Sequence, residues 1–145
     1  MEYGNEPVDG NAANGACGFK LPEAREGKKL VLICPVSGGS DSSVVALCLK
    51  ALHPTAEIKF VFTDTGFETR GTLEALDRLE AVLGDPILRI KQRVTLPEYI
   101  KEYGDYLPSF NRRYCTSFFK ISPFKHLLTT LRLKLGANTE FASFV

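Results

Sequence analysis

The four cysteines of this 145-residue chain, Cys17, Cys34, Cys48 and Cys115, include no Cys-x-x-Cys pair and no disulfide-framework spacing, which sets aside the common thiolate metal sites and a stapled secreted fold. Cys34 and Cys48 lie in apolar runs and are expected to be buried small hydrophobes, the usual fate of free cysteine. No apolar run approaches bilayer-spanning length, and the N-terminus lacks the charged-then-apolar order of a secretion signal, so a cytoplasmic protein away from membranes is expected. There is no internal repeat. Neither the Walker loop nor the Gly-x-Gly-x-x-Gly dinucleotide loop is present, which removes two familiar phosphate cradles. Acidic residues are missing from positions 106–139, whereas Arg112, Arg113, Lys120, Lys125, Arg132 and Lys134 all fall there. With a net charge of only +1, the remainder must be net acidic. This asymmetry points to an anionic ligand or substrate near the basic segment, the alternative being a solvated basic face.

At 44% hydrophobic residues, the chain can bury one core of ordinary size, and nothing divides it into two domains. Residues 1–27, rich in Gly, Asn, Ala and Glu, have no hydrophobic period and are expected to form a flexible arm, leaving residues 28–145 as the folded domain. From Lys29 onward, strand-like and helix-like segments alternate: strands over 29–34, 58–63 and 87–90, helices over 42–52 and 72–83. Val44, Val45, Leu47, Cys48, Leu49 and Leu52 are expected to bury the first helix, and the second has one apolar face. A short helix over 97–103, a helix from 122 or 123 to 131 and a last strand over 131–135 complete the pattern. This alternation belongs to a parallel sheet covered by helices on both faces, an α/β fold.

The segment Pro35-Val36-Ser37-Gly38-Gly39-Ser40-Asp41-Ser42-Ser43 joins the first strand to the first helix. Two glycines permit a sharp turn with the backbone open to a ligand, and the first helical N–H groups and serine hydroxyls offer donors to an anion. The simpler alternative is a turn in which Ser40, Asp41 or Ser42 caps the helix. Ligands in such sheets bind outside the carboxyl ends of the strands, so this loop and the segment over 64–69 are expected to share a crevice. Asp41 and Asp64 are candidate Mg²⁺ contacts, since that ion takes one or two carboxylates together with phosphate oxygens; capping and an Asx turn are the alternatives. Arg113 and Lys120 are the preferred anion contacts, one able to fork onto oxyanions and the other a mobile point charge. Arg112 and Arg113 flank Cys115 and would favour its thiolate. Tyr106, Phe110, Tyr114, Phe118 and Phe119 could stack on a base, which would suit nucleic acid, or close the core.

Ser37-Gly38-Gly39-Ser40-Asp41-Ser42 resembles the Ser-Gly-Gly-x-Asp-Ser signature of the PP-loop nucleotide enzymes. Phe60-Val61-Phe62-Thr63-Asp64-Thr65-Gly66 resembles the second strand and Asp-Thr-Gly turn of their phosphoadenylyl-sulfate (PAPS) reductase group. Arg113-Tyr114-Cys115-Thr116 with Lys120 and Pro123 resembles that group's Arg-aromatic-Cys-Thr segment. The resemblance covers most of residues 30–123. It implies a three-layer α/β/α domain with a mostly parallel, doubly wound sheet of the adenine nucleotide alpha hydrolase type. It also implies binding of ATP, PAPS or adenylyl sulfate with Mg²⁺ through Ser37, Gly38, Gly39, Ser40, Asp41, Ser42, Ser43, Thr63, Asp64, Thr65 and Gly66. Arg113, Cys115 and Lys120 become the candidate catalytic residues, for cleavage of ATP between its α- and β-phosphates with adenylation of an acceptor, or for sulfonucleotide chemistry. Three departures stand out: Ser40 replaces a frequent Lys, Arg70-Gly71 interrupts the second turn's continuation, and the reductases' Glu-Cys-Gly tail is missing. The last argues against ordinary sulfonucleotide reduction and for a domain shortened at its C-terminus. An iron–sulfur cluster, which some relatives carry near this cysteine, would need Cys17 or a second subunit to reach four thiolates and is not expected. A nucleotide-binding module working through a partner chain, a second copy or nucleic acid is the alternative function.

Overall fold

The structure, a computed structural model, describes residues 21–103 and 106–143. Lys-Leu-Val-Leu-Ile-Cys-Pro forms strand β1 (Lys29–Pro35), in which Val31 to Cys34 are buried. A central strand of a parallel sheet is covered on both faces, so it reads as a continuous apolar run. Helix α1 (Ser40–Leu52), β2 (Glu57–Asp64), α2 (Arg70–Leu83), β3 (Ile87–Lys91), α3 (Leu96–Glu102), α4 (Tyr114–Thr116), a π-helical turn (Ser117–Ile121), α5 (Ser122–Leu135) and β4 (Thr139–Ser143) follow. The four strands are parallel in the order β3-β2-β1-β4.

Strand alternation assigns the helices to their layers. Cys34, Phe60 and Phe62 pack with Ala46 and Leu49 of α1 and Leu76, Leu79 and Leu83 of α2. Val31, Ile33 and Val61 point the other way and meet Phe124, Leu127, Leu128 and Leu131 of α5, with Phe141 of β4. The result is the three-layer α/β/α fold with a doubly wound sheet. Chain direction across the sheet reverses between β1 and β4, and such a reversal opens a crevice at the strands' carboxyl ends.

Several expectations are corrected. Residues 131–135 are the last turns of α5 and not a strand, because Leu131 continues the apolar stripe of Phe124, Leu127 and Leu128 at helical spacing. The fourth strand lies beyond Gly136, at β4. Helix α1 is buried along one stripe only: Val44 is 57% exposed, Val45 and Leu47 are also exposed, and so is Cys48. Cys34, by contrast, is fully buried, and loss of water pushes its thiol up to about 11. Ala46 and Leu49 carry the buried stripe of α1, packed on the sheet and on α2, and 3.6-residue periodicity then turns Val44, Leu47 and Cys48 outward.

Of the arm expected over 1–27, residues 1–20, with Cys17, lie outside the described residues. Residues 21–27 have no regular secondary structure, but Leu21 packs on the core and Arg25 pairs with Glu140 on β4. Among the described residues, no helix is long and apolar enough to cross a membrane.

Candidate functional site

A cavity of about 540 Å³ opens at the carboxyl edge of the sheet. Pro35 of β1, Val61 to Thr63 of β2 and Ser143 of β4 form its sheet wall, and Phe124 and Leu128 of α5 face them. Ser37 and Ser42 enter from the β1–α1 loop, Glu68 from the β2–α2 loop, and Lys120 and Lys125 from the π-helical turn and α5. Apolar walls with a few converging polar groups make a typical small-molecule site, and the volume is in the usual range. The shared crevice expected for the two loops is therefore present.

The β1–α1 loop is held by its own serines. Ser37 N–H donates to Ser42 Oγ (3.0 Å), the two hydroxyl oxygens lie 3.0 Å apart, and Ser42 and Ser43 hydroxyls donate to Gly39 O at 3.2 and 2.8 Å. The N-cap of α1 is Gly39, and no side chain caps the helix. Ser40, Asp41 and Ser42 are all inside α1, so the alternative in which one of them caps the helix is not what the structure has. The two glycines differ. Gly38 has φ +78°, and a Cβ there would lie 2.9 Å from Thr72 Cγ2 and 3.1 Å from Thr72 O; the packing of α2 demands glycine. Gly39 has an extended backbone, and a Cβ would meet only Ser37 Oγ, at 3.4 Å. Internal packing does not explain glycine at 39.

The turn after β2 is largely occupied with the fold. Asp64 Oδ1 accepts from Gly66 N–H (2.7 Å), an Asx turn. Thr65 is buried; its hydroxyl donates to Glu68 Oε1 (2.8 Å), and its carbonyl accepts from Leu96 N–H (2.8 Å). At Gly66, with φ +73°, a Cβ would fall 2.6 Å from Thr95 Cβ. These contacts tie the turn to the start of α3. Thr63 lines the cavity; Asp64, Thr65 and Gly66 do not.

The third segment places its candidates apart. Residues 109–112 make a tight turn closed by an Ser109–Arg112 bridge. Arg112 lies over the Tyr106 ring, 4.5 Å from its centroid, and Tyr114 hydroxyl donates to Tyr106 O. Arg113 is the N-cap of α4, and half-buried Cys115 within α4 has its sulfur 3.9 Å from Thr116 Oγ1. Neither lines the cavity. Lys120 does, and the π-helical turn positions it: Phe119 is fully buried and Phe124 packs on the sheet, although five α-helical steps would set them about 140° apart. The wider turn brings residues five apart onto one side. Lys125 follows Lys120 by the same step, so the repeated Phe-Lys pair at 119–120 and 124–125 is a signal for both cavity lysines. Of the expected aromatics, Phe118 and Phe119 pack around Tyr99, whereas Phe110 is exposed.

Asp41 accepts from Ser40 Oγ (3.2 Å) and, like Asp64, is outside the cavity lining. Glu68 is the carboxylate that faces it. Among the described residues no three His, Cys, Asp or Glu side chains gather into a metal cage, so a divalent ion here would depend on a ligand's own oxygens, in the manner usual for Mg²⁺. The three described cysteines stand on β1, α1 and α4.

Comparisons with known proteins complete the description. The model of the phosphoadenosine phosphosulfate reductase domain matches residues 31–137. An uncharacterized protein of Methanocaldococcus jannaschii is 36% identical over 129 residues, 88% of this chain and 26% of its own length. The adenosine 5'-phosphosulfate reductase of Streptomyces coelicolor is 30% identical over 99 residues, 68% of this chain and 41% of that one. The chain thus spans well under half of these relatives. Among solved structures, an NH3-dependent NAD synthetase from Campylobacter jejuni aligns with a TM-score of 0.47 at 21% identity, covering 81% of this chain and 47% of that one.

Proposed function

The chain belongs to the phosphoadenosine phosphosulfate reductase domain family, and from that premise we propose that its 540 Å³ cavity binds an adenine nucleotide, ATP or a sulfonucleotide such as PAPS or adenylyl sulfate. The observation that carries this reading is the convergence at the switch point of an uncapped α1 N-terminus, Ser37, Ser42, Lys120 and Lys125. Apolar side chains of β2 and α5 suit a base and ribose, and the amides and lysines suit its phosphates. With ATP, an acceptor oxygen bonds to the α-phosphorus as the bond to the bridging oxygen breaks, and pyrophosphate leaves with its charge held by the α1 amides and Lys120. Magnesium is part of the proposal as the nucleotide's companion, supplying charge neutralisation on the phosphate oxygens, with Glu68 the carboxylate best placed to meet it.

Titration calorimetry with ATP, PAPS and adenylyl sulfate, followed by analysis for pyrophosphate, AMP and sulfite, tests this reading. One of the three should bind saturably, and Lys120→Gln should weaken it about tenfold, the value of one charge-assisted hydrogen bond. Absence of saturable binding, or unchanged affinity in Lys120→Gln, overturns it. A second reading has support in the position of Arg113 and Cys115 outside the cavity: a nucleotide-binding module without catalysis, working with a partner chain or nucleic acid. Tight binding with no turnover products would favour it.

A further inference from the structure

Helix α5 has a second cavity on its other side. It measures about 670 Å³ and lies between the end of β3 and α5, where Lys91, Gln92, Arg93, Ser122, His126 and Thr130 line it above a floor that includes Leu127. At about 100° per residue, Phe124, Lys125 and Leu128 mark one side of α5, and Ser122, His126 and Thr130 the opposite side. The two cavities share no lining residue.

Its charge is one-sided. No carboxylate lines it, and among the described residues Lys91, Arg93 and His126 make no ion pair. Up to residue 89 the described Lys and Arg residues other than Arg78 each meet a carboxylate, whereas beyond it none does, so what sets Lys91, Arg93 and His126 apart from the other unpaired cations is that they line this one cavity. The other polar groups are partly committed. Gln92 Nε2 donates to Phe118 O (2.8 Å), which anchors the β3–α3 loop to the π-helical turn, and Thr130 Oγ1 donates to His126 O (2.9 Å). Lys91, Arg93, His126 and Ser122 line one concavity with no side-chain hydrogen bond or ion pair of their own among the described residues. Scattered solvated cations would not need to converge from two elements, and like charges brought together are relieved by a multivalent anion.

We propose that this cavity is a binding site for a phosphomonoester, with Lys91, Arg93 and His126 around the phosphate and the ligand's polar body over the Leu127 floor. Arginine forks onto two phosphate oxygens, and lysine supplies a point charge to a third. The volume accommodates a ligand of sugar-phosphate size. The proposal stands whether or not the first cavity holds a nucleotide.

The chain has two histidines, His53 and His126, and His53, at the C-terminal end of α1, is an internal control. Titration of the full chain with ribose 5-phosphate, followed by the ring resonances of both histidines, should shift His126 saturably and leave His53 in place. Arg93→Gln and Lys91→Gln should each weaken the apparent affinity about tenfold, with circular dichroism verifying the fold, while Lys120→Gln leaves it unchanged. No shift at His126, wild-type affinity in both Arg93→Gln and Lys91→Gln, or an equal loss in Lys120→Gln overturns the proposal, the last because the probe would then sit in the first cavity. A parallel titration with a single-stranded oligonucleotide without terminal phosphates separates monoester from polymer backbone. If it shifts His126 where ribose 5-phosphate does not, the surface binds a polyanion and the monoester site is wrong.

Discussion

Helices α1, α2 and α3 all start at the carboxyl edge of the sheet, yet their first turns are completed differently. Thr69 caps α2 by accepting from Thr72 N–H, and Thr95 caps α3 in a capping box with Glu98, with Pro97 in the first turn. Helix α1 has Gly39 at the same position and no side-chain cap. An N-cap side chain is worth about 1 kcal/mol over alanine and roughly a few tenths over glycine, so α1 forgoes a small stabilisation that its neighbours take. It does so beside the 540 Å³ cavity, where a capping side chain would occupy the space that an anion needs to reach the amides. The difference separates helix starts built for stability from one left open, and it gives the nucleotide reading its sharpest test.

The largest effect is expected where α1 is made to resemble its neighbours. Gly39→Asp has a compatible backbone and only the 3.4 Å contact to Ser37 Oγ, so it should cap α1 and stabilise the protein by about 0.5–1 kcal/mol. If the open amides receive phosphate, the same carboxylate should weaken nucleotide binding on the order of a hundredfold. Calorimetry of binding and thermal denaturation on one sample read both numbers. A stabilised variant with undiminished affinity would break the comparison. Gly38 should behave in the opposite sense: Gly38→Ala forces a Cβ onto Thr72 with a positive φ and should cost about 3 kcal/mol of stability, visible as a large fall in melting temperature.

Neighbouring glycines with unlike roles mark how far the sequence could be read. Apolar runs at 29–34, 58–63 and 87–90 located three strands, and the two-glycine turn located the crevice, because both signals are local in the chain. The distinction between Gly38 and Gly39 was not legible, since it depends on Thr72 of a helix more than thirty residues onward. The exposure of Val44, Leu47 and Cys48 was hidden for a similar reason: burial depends on which faces of α1 find neighbours. Residues 117–121 escaped because their five-residue repeat matches neither helical nor strand period, and with them went the placement of Lys120 and Lys125 on one wall. β4, with no fully buried residue, carries too weak an apolar signal to stand out. Three ordered motifs identified the family, but they did not reveal that Arg113 and Cys115 would lie outside the cavity.

The smallest expected effects come from the capped helices. Thr69→Ala and Thr95→Ala should each cost about 1 kcal/mol, or roughly 3 °C in melting temperature, with nucleotide affinity intact. The α3 cap is also titratable. Hydrogen bonds from the Thr95 backbone N–H and then its hydroxyl hold the Glu98 carboxyl below its ordinary value of 4.5. A carboxyl lowered on folding adds stability that is fully present above that value and is lost as pH falls through the folded one. The stability difference between the wild type and Glu98→Gln should therefore be constant near neutral pH and close below about pH 4.5, as read by denaturant titrations across that range. A gap that persists into acid would mean that Glu98 acts through packing and not through its charge. Native α1 has no carboxylate cap, whereas Gly39→Asp introduces one, so its gain in stability should disappear in acid as the Glu98 contribution does. Recovery of nucleotide affinity by that variant over the same interval would place the ligand's phosphate at the α1 N-terminus; affinity lost at neutral pH and not regained would trace the defect to the bulk of the side chain instead.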